Sequence, residues 1–417
     1  MGVSRRRFVL DAGGALGALA VGSGTGLAAP RAATTWLPPS PRWRLPEAFI
    51  EGLPSQLAAH GVPAVSVALG GPEMPVAAVA AGARTAAPDG SARAATPDGV
   101  FAAASLSKPV VATIAWALHR EGAFDVDRPV VEYLEDDIPT GRRAGEITSR
   151  HALEHASGLP NWRFEPGPLE VAFEPGTGWR YSGEGYVLVQ RALETATGKA
   201  LERLAREIVF RPLGMDSSSY LPRPDLAARA VPPHVAPEER FGEYAALAAW
   251  KERALMAWAE ENSLDPADVT QARLRQIDPD ITARASRMAD RELPAAPTVP
   301  NFIVPNGAGS LRTTASDYLL LLRHWLADDR LRALAFDAPI ERSDGLAWGA
   351  GWGLDGRDRT AFWHWGETLG VRTLAYADAG AGDALVVLTN GSDGMPLCEA
   401  AFQAATGGES ALFEMLR

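Results

Sequence analysis

The stretch that decides the fold is AASLSKPVVATIAWALH, residues 103–119. Apolar residues around Ile114 and Leu118 recur at helical spacing over nearly the whole surface, which predicts a buried helix. Pro109 fixes where this helix starts, because proline is tolerated only in the first helical turn. The helix can begin no more than about four residues before Pro109, which places Ser105 at its N-terminus.

Ser105 and Lys108 form an S-x-x-K pair at this N-terminus. Their spacing places Lys108 on the same face of the helix, one turn away. A hydroxyl at the positive end of a buried helix, with an amine beside it, can act as an activated nucleophile. A capping serine followed by a solvated lysine would give the same pattern. The motif therefore needs support from the rest of the chain.

The composition is typical of a globular protein. The chain has 417 residues, 47% of them hydrophobic, and a formal charge of −11. This length predicts two lobes or one elaborated domain. The negative charge argues against a nucleic-acid partner. The single cysteine, Cys398, cannot form an internal disulfide or a thiolate metal cluster, and we expect it to be a buried apolar residue.

Residues 1–33 are expected to be an export signal. Residues 4–10 read SRRRFVL, which resembles a twin-arginine signal, and small apolar residues follow at 12–20. That run is too short and too rich in glycine to span a bilayer stably. We expect cleavage between Ala28 and Ala33 and a mature protein that is periplasmic or secreted, with no stable membrane span.

The order of predicted elements gives the fold class. A helix at 47–60 is followed by two apolar runs, 63–69 and 75–81, which form a hairpin signal. Helical periods and loops dominate residues 122–305. Short strands follow at 348–354, 360–365, 371–377 and 384–388, and a last helix at 396–405. We predict an α+β fold with an antiparallel sheet built from both termini, flanked by helices, and an inserted helical domain.

Residues 222–300 stand apart within the helical part. The helix predicted at 244–262 has an apolar stripe made of Leu247, Trp250, Ala254 and Trp258. Asp265 and Pro266 provide the cap and first-turn proline of another helix. Such tryptophans are more often core residues than ligand-binding residues. The length of the segment also allows a lid over the functional site.

Three further stretches complete the pattern around Ser105. Residues 173–186 form a turn-rich loop that carries Tyr181 to the start of a helix ending at Gly198. Residues 306–317, NGAGSLRTTASD, lead into an apolar helix. His364-Trp365-Gly366 ends a predicted strand. In this order the chain resembles the serine β-lactamase and penicillin-binding hydrolase superfamily, which includes class C β-lactamases, D-alanyl-D-alanine carboxypeptidases, family VIII esterases and D-aminopeptidases.

The resemblance runs from about residue 60 to residue 405 and largely omits 222–300. It rests on SLSK as S-x-x-K, on Tyr181-Ser182-Gly183 at the Y-x-N position and on His364-Trp365-Gly366 at the K/H-x-G position. Two further signatures belong to it, HALEHASGLP at 151–160 and FRPLGM at 210–215.

The resemblance implies a serine hydrolase of the β-lactamase/transpeptidase-like fold that needs no metal or organic cofactor. Ser105 would attack an acyl carbonyl, and Lys108 and Tyr181 would share its proton as a coupled pair. The backbone amides of Ser105 and Glu367 would form the oxyanion hole. His364 would tune the charge of the site or, as a lesser alternative, act as a general base. Ser182 would have a structural role.

Two departures from the family pattern bear on the substrate. Among the substrate-binding positions Gly183, Trp365 and Gly366, Gly183 replaces an asparagine that contacts a substrate amide in relatives. Trp365 and Glu367 stand where relatives offer hydroxyls to a substrate carboxylate. We therefore expect poor β-lactam turnover and hydrolysis of an ester, or of an amide with a neutral or cationic acyl side. Glu367 could instead point to solvent, and Arg372 could offset its charge.

Other functions remain open from the sequence. A D-Ala-D-Ala carboxypeptidase or a β-lactamase would use the same nucleophile. The stretch His151-Ala152-Leu153-Glu154-His155 matches the H-x-x-E-H zinc signature, which would make the chain a zinc hydrolase through His151 and His155. A catalytically silent penicillin-binding-like module is a further alternative. The substrate is a small ester, amide or short peptide of unknown identity, and the oligomeric state is not predicted.

Overall fold

A computed structural model describes residues 33–35, 43–72, 74–86, 92–134, 136–163, 167–235, 242–289, 304–342, 345–355 and 359–417. Its α-helices are α1 (Glu47–Ala59), α2 (Ser107–Arg120), α3 (Ser149–Leu153), α4 (Gly183–Thr197), α5 (Leu201–Leu204), α6 (Arg211–Leu213), α7 (Gly242–Glu261), α8 (Gln271–Ala289), α9 (Ala315–Ala327), α10 (Asp329–Ala335), α11 (Met395–Thr406) and α12 (Ala411–Leu416). The export signal expected at 1–33 lies outside the described residues, apart from Ala33.

The strands form a main sheet and a small one. They are β1 (Ala33–Thr35), β2 (Ala64–Leu69), β3 (Ala77–Ala86), β4 (Ala92–Ala94), β5 (Val100–Ala102), β6 (Ala230–Val231), β7 (Arg312–Thr313), β8 (Ile340–Glu341), β9 (Ala347–Gly349), β10 (Trp352–Asp355), β11 (Ala361–Thr368), β12 (Val371–Asp378) and β13 (Asp383–Thr389). In the described part of the chain the main sheet has the order β1-β3-β2-β13-β12-β11-β10-β9-β8, with β4 paired to β3.

The main sheet joins the two ends of the domain. Strand β2 pairs with β13 in antiparallel register, with Val67 opposite Val387. The other neighbouring pairs of this sheet are antiparallel as well. The predicted α+β fold, with a sheet assembled from both termini, is therefore confirmed. The small sheet, in which β5 lies between β6 and β7, was not predicted.

Helices cover both faces of the main sheet. Side chains alternate along β13 because the strand period is two. Leu385 and Val387 pack with α1, α11 and α12, whereas Val386 and Leu388 pack with α2 and α9 on the other face. Helix α2 is buried nearly all round, as its sequence predicted. Burial of each large apolar side chain contributes about 1.5–3 kcal/mol, so this helix has a fixed position in the core.

Some predicted elements are corrected. The strand predicted at 348–354 is two strands, β9 and β10, because the chain reverses at Gly351, whose φ is +114°. Helix α12 follows the last predicted helix. Asp265 caps a short 3-10 turn, Pro266–Asp268, and α8 begins only at Gln271. Cys398 is buried and free, as expected.

The insertion at 222–300 contains α7 and α8, which pack against each other. Ala254 and Trp258 are buried in their shared core, and Trp250 is partly buried there. These residues are therefore core residues, whereas the side chain of Leu247 lies outside the described set. None of the helices in the described ranges is long and apolar enough to cross a membrane.

Candidate active site

Ser105 and Lys108 meet at the start of α2. Ser105 lies in a 3-10 turn, Ala104–Leu106, that leads directly into the helix. Lys108 Nζ lies 2.9 Å from Ser105 Oγ and donates a hydrogen bond of 2.8 Å to the carbonyl oxygen of Ala308. Lys108 is fully buried, and burial lowers its pKa well below the ordinary value. A neutral amine at this distance can accept the Ser105 proton.

The turn that carries the nucleophile is fixed by hydrogen bonds. Ala104 has a φ of +48°, a left-handed conformation that is uncommon for alanine. Ser107 Oγ donates to the Ala104 carbonyl oxygen at 2.6 Å. Tyr318 and Tyr220 donate to the carbonyl oxygens of Leu106 and Ser107 at 2.8 and 2.7 Å. The unusual backbone is therefore held by its surroundings, as is typical of functional sites.

Tyr181 lies against Lys108. Lys108 Nζ is 4.9 Å from the centroid of the Tyr181 ring. The hydroxyl is buried, makes no regular hydrogen bond to the described residues, and has a raised pKa because of this burial. The nearby Ser105 hydroxyl lowers that pKa in part. The site therefore brings together a phenol that holds its proton and an amine that gives up its proton more readily than usual, and the two groups can pass a proton between them.

His155 positions the tyrosine loop. Its Nδ1 accepts a hydrogen bond of 3.0 Å from the Ser182 amide, and its ring centroid lies 4.2 Å from that of Tyr181. Burial lowers the pKa of His155 well below the ordinary value, so the ring is neutral. Ser182 Oγ accepts from the Gly185 amide and thereby caps α4. The structural role expected for Ser182 is confirmed.

The zinc alternative does not fit this geometry. Helix α3 ends at Leu153, and His155 follows with a left-handed φ of +57°. His151 Nδ1 accepts from the Thr148 amide at 3.2 Å and belongs to the cap of α3. The two histidine rings are therefore not one turn apart on a common helix. Within the described ranges, no group of three or more His, Cys, Asp or Glu side chains could hold a metal ion.

His364 lies behind Tyr181. Its ring centroid is 6.2 Å from that of Tyr181, and its Nδ1 donates to the Trp365 carbonyl oxygen at 2.7 Å. Burial, together with nearby Lys108, lowers the pKa of His364 to about 3. His364 is therefore uncharged at neutral pH. It cannot offer a positive charge to a substrate carboxylate.

Strand β11 passes directly beside the nucleophile turn. A Cβ added to Gly366 would lie 2.2 Å from Thr373 Oγ1 and 2.5 Å from the Ala103 carbonyl oxygen, so only glycine fits. This close approach brings the backbone of Glu367 next to the turn. The Glu367 carboxylate is partly exposed and forms an ion pair of 2.9 Å with Arg372, directly across the strand pair. Arg372 therefore offsets the charge of Glu367, which is one of the two possibilities that the sequence left open.

The sequence did not reveal what replaces the missing asparagine side chain at Gly183. A Cβ on Gly183 would lie 2.5 Å from the Trp162 indole and 2.9 Å from the Asn161 carbonyl oxygen. The Asn161 side chain also accepts from the Gly183 amide at 3.0 Å. The space beside Gly183 is thus filled by Trp162. Its place directly after the signature at 151–160 was the only available hint.

An aromatic surface borders the site. The ring centroid of Trp365 is 5.0 Å from that of Tyr181, and Trp348 lies 5.9 Å from Trp365. Trp162 and Trp365 are both partly exposed. We call Trp162, Gly183 and Trp365 the substrate wall. Gly183 itself is buried, so the partly exposed indoles of Trp162 and Trp365 are the accessible part of this wall.

Comparisons with known proteins agree with these observations. A family model described as Beta-lactamase matches residues 49–407. The chain is 31% identical over 139 residues to penicillin-binding protein 4* of Bacillus subtilis (strain 168), covering 28% of this chain and 30% of that protein. It is 29% identical over 151 residues to esterase EstB of Burkholderia gladioli, covering 29% of this chain and 38% of the esterase. The matched stretches span well under half of either relative.

Solved structures give the same fold. A class C beta-lactamase from Rhodobacter sphaeroides matches with a TM-score of 0.57 at 17% identity, covering 87% of this chain and 97% of that one. At this identity the likeness concerns the fold alone. It agrees with the antiparallel sheet and flanking helices described above.

Proposed function

The chain belongs to the beta-lactamase family, and on that premise we propose that it is a serine hydrolase acting through an acyl-enzyme on Ser105. The observation that carries this proposal is the 2.9 Å separation of Lys108 Nζ from Ser105 Oγ, together with the complete burial of the amine. Desolvation disfavours the charged form of Lys108 and so favours the neutral amine, which is the form that can take a proton.

The proposed reaction has two halves. Ser105 Oγ bonds to the acyl carbonyl carbon as Lys108 takes the hydroxyl proton, and the amides of Ser105 and Glu367 donate to the resulting oxyanion. When the bond to the leaving group breaks, Tyr181 protonates that group and is reprotonated by Lys108. Water then attacks the Ser105 ester with Lys108 and Tyr181 as the base. The acid is released and the serine is restored.

The substrate wall and the local charges support an ester, or an amide whose acyl side is neutral or cationic. His364 is neutral, and Arg372 is already paired with Glu367, so neither offers a free positive charge to a carboxylate. Trp162 fills the space where an asparagine would bind a substrate amide. If the acyl side chain of a substrate carried an amide, that amide would lie unpaired against the Trp162 indole. An unpaired amide of this kind costs about 1–3 kcal/mol.

A substrate panel tests this proposal. The mature protein and its Ser105→Ala variant are assayed with short-chain p-nitrophenyl esters, D-amino-acid amides, D-Ala-D-Ala peptides and nitrocefin. We expect Ser105-dependent turnover of the esters or of the uncharged amides. Rapid nitrocefin or D-Ala-D-Ala turnover would instead favour a β-lactamase or a carboxypeptidase. Ester hydrolysis by the Ser105→Ala variant at the rate of the unsubstituted protein would refute the serine mechanism.

We also propose that residues 1–33 direct export through the twin-arginine pathway. The support is the SRRRFVL sequence followed by a short apolar run. The test uses a double variant that carries both Arg5→Lys and Arg6→Lys, and a control variant that carries Arg7→Lys alone. The amount of each protein is measured in the cytoplasmic, periplasmic and medium fractions. We expect only the double variant to stay in the cytoplasm. Equal export of both variants would contradict the proposal.

A further inference from the structure

We propose that Gln190 is a positioning residue for Lys108, and that it connects the catalytic lysine to the helical insertion. The proposal rests on the function proposed above, because it concerns the base that activates Ser105. It assigns a role to a buried amide that lies outside every motif of the sequence, and to the anchored end of α8.

The first step is the loop that holds Lys108. The Ala308 carbonyl oxygen accepts from Lys108 Nζ at 2.8 Å and so fixes the amine beside Ser105. Ala308 lies in a turn before β7 and is not part of a helix or a strand. Backbone bonds from Gly309 and Ser310 to the Asn306 carbonyl oxygen close the turn internally, so side-chain contacts set its position relative to the helices. A displacement of the carbonyl by a fraction of an ångström would move the amine relative to the serine hydroxyl.

Gln190 supplies those contacts from α4. Its Oε1 accepts from the Gly307 amide at 2.8 Å, and its Nε2 donates to the Pro305 carbonyl oxygen at 3.2 Å. One amide thus binds the loop on both sides of residue 306. Gln190 is only 1% exposed. A Cβ on Gly307 would lie 2.7 Å from Val111 of α2, so the loop is wedged between α4 and the helix that carries Lys108.

The same contacts reach the insertion. Glu194, one turn along α4, accepts from Gln190 Nε2 at 3.0 Å and from the amide of Gln271 at 2.7 Å. Gln271 is the first residue of α8, and its own Nε2 donates to the Pro305 carbonyl oxygen at 2.7 Å. The Pro305 carbonyl therefore receives one amide from α4 and one from α8. A continuous buried chain of contacts runs from α8 through the loop to Lys108.

A positioning role and a merely structural role give different results. Removal of any buried hydrogen-bonding amide lowers the thermal midpoint, because its partners are left unpaired. Only a positioning residue also changes the rate at which Ser105 reacts. Small misplacements of reacting groups reduce rates strongly while substrate binding is retained.

Asn390 provides a matched control. It is a buried amide that accepts from the Ala64 amide at 2.8 Å and donates to the Pro232 carbonyl oxygen at 3.1 Å, which matches the two bonds that Gln190 makes to the backbone but not its bond to Glu194. Neither of its partners contacts Ser105 or Lys108 in the bonds described above. Asn390→Leu therefore imitates the structural damage of Gln190→Leu at a site remote from the base.

The experiment measures the thermal midpoint, kcat, KM and the rate of Ser105 labelling by a fluorophosphonate for both variants. We expect similar losses of thermal midpoint. We expect labelling and kcat to fall about tenfold to hundredfold in Gln190→Leu alone, with KM little changed, because only the base is displaced. Equal labelling rates in Gln190→Leu and Asn390→Leu would overturn the proposal.

A second variant decides the outcome if Gln190→Leu does not fold. Gln271→Leu removes only the side-chain donor of α8 to Pro305 and keeps the backbone bond to Glu194. We expect slower labelling than in the wild type, by about threefold, since one of the two amides on this carbonyl remains. An unchanged labelling rate would overturn the connection to the insertion. Absence of labelling in the wild-type protein would instead refute the proposed function itself.

Discussion

The nucleophile turn and the substrate wall both lie close to Tyr181 and are built in different ways. The turn around Ser105 is fixed by directional hydrogen bonds from Ser107, Tyr220 and Tyr318. In the wall, the Trp365 ring packs against Tyr181, and the Trp162 indole lies against a glycine that cannot accept a side chain. Directional bonds set the distances that proton transfer needs, whereas shape and the lack of charge select the ligand.

This difference separates the reaction from its substrate. The distance between Lys108 and Ser105 does not depend on Trp162 or Trp365 in any contact described here. The same acylating groups can therefore serve different substrates, according to what the wall admits. Four predictions test the separation, from the largest expected effect to the smallest.

Lys108→Met should remove the base that activates Ser105 and leave the fold intact. Methionine fits a fully buried position and removes the cost of burying an amine, which offsets the loss of the bond to the Ala308 carbonyl oxygen, so the thermal midpoint should change little. Without the base, ester hydrolysis should drop by about 10²–10⁴-fold. Fluorophosphonate labelling of Ser105 and thermal unfolding measure the two effects. Labelling within twofold of the wild type would contradict the role of Lys108.

Gly183→Asn should break the substrate wall through overpacking. The new side chain would meet the Trp162 indole, whose ring lies 2.5 Å from an added Cβ, so a loss of about 1–3 kcal/mol of stability is expected. Adding Trp162→Ala should restore much of that stability and improve turnover of substrates with an acyl-side amide. Thermal unfolding of both single variants and of the double variant checks this. A Gly183→Asn protein as stable as the wild type would contradict the prediction, because it would show that Trp162 can move to make room for the new side chain.

Glu367→Gln should make the site more favourable for anionic substrates. Arg372 loses its carboxylate partner in this variant and can attract an anionic substrate across the partly exposed site. We expect kcat/KM to rise about threefold for nitrocefin and to stay unchanged for a neutral ester, with the gain disappearing at high salt. Measurements at two ionic strengths separate these cases. An equal change for both substrates would argue against an electrostatic cause.

Among these four substitutions, His364→Asn should have the smallest effect, and it should leave the pH profile of kcat/KM for ester hydrolysis unchanged. Lys108 must be neutral to act, so kcat/KM should rise with pH as the amine loses its proton. His364 has a pKa of about 3 and is already neutral over this range, so its removal should not move that limb. The profile of ester hydrolysis from pH 5 to pH 9 tests this. A limb displaced by more than about one pH unit would assign it to the histidine instead.

Local patterns predicted the nucleophile and the sheet. Ser105 and Lys108 are one helical turn apart, so their contact follows from backbone geometry and Pro109. The strands β11 to β13 follow from short aromatic or β-branched runs separated by glycine and aspartate turns, and a sheet shared with β2 follows from placing strands at both ends. The reversal at Gly351 escaped prediction because the run 348–354 is continuously buried and shows no alternation.

Contacts between distant parts of the chain could not be predicted. The Ala308 carbonyl reaches Lys108 across 200 residues of sequence, and no motif marks an oxygen of the backbone. Trp162 reaches Gly183 because residues 161 and 163 bind the first residues of α4. Gln190 has the spacing of an ordinary buried helix residue. Such roles arise from tertiary packing, which leaves no periodic signal in the sequence.

The most direct test of the central claim is intact-protein and peptide mass spectrometry during turnover of a slowly hydrolysed p-nitrophenyl ester. We predict a transient mass increase equal to the acyl group, located on the peptide that contains Ser105 and absent from Ser105→Ala. Turnover without any adduct on Ser105, or an adduct on another residue that persists in Ser105→Ala, would contradict the account.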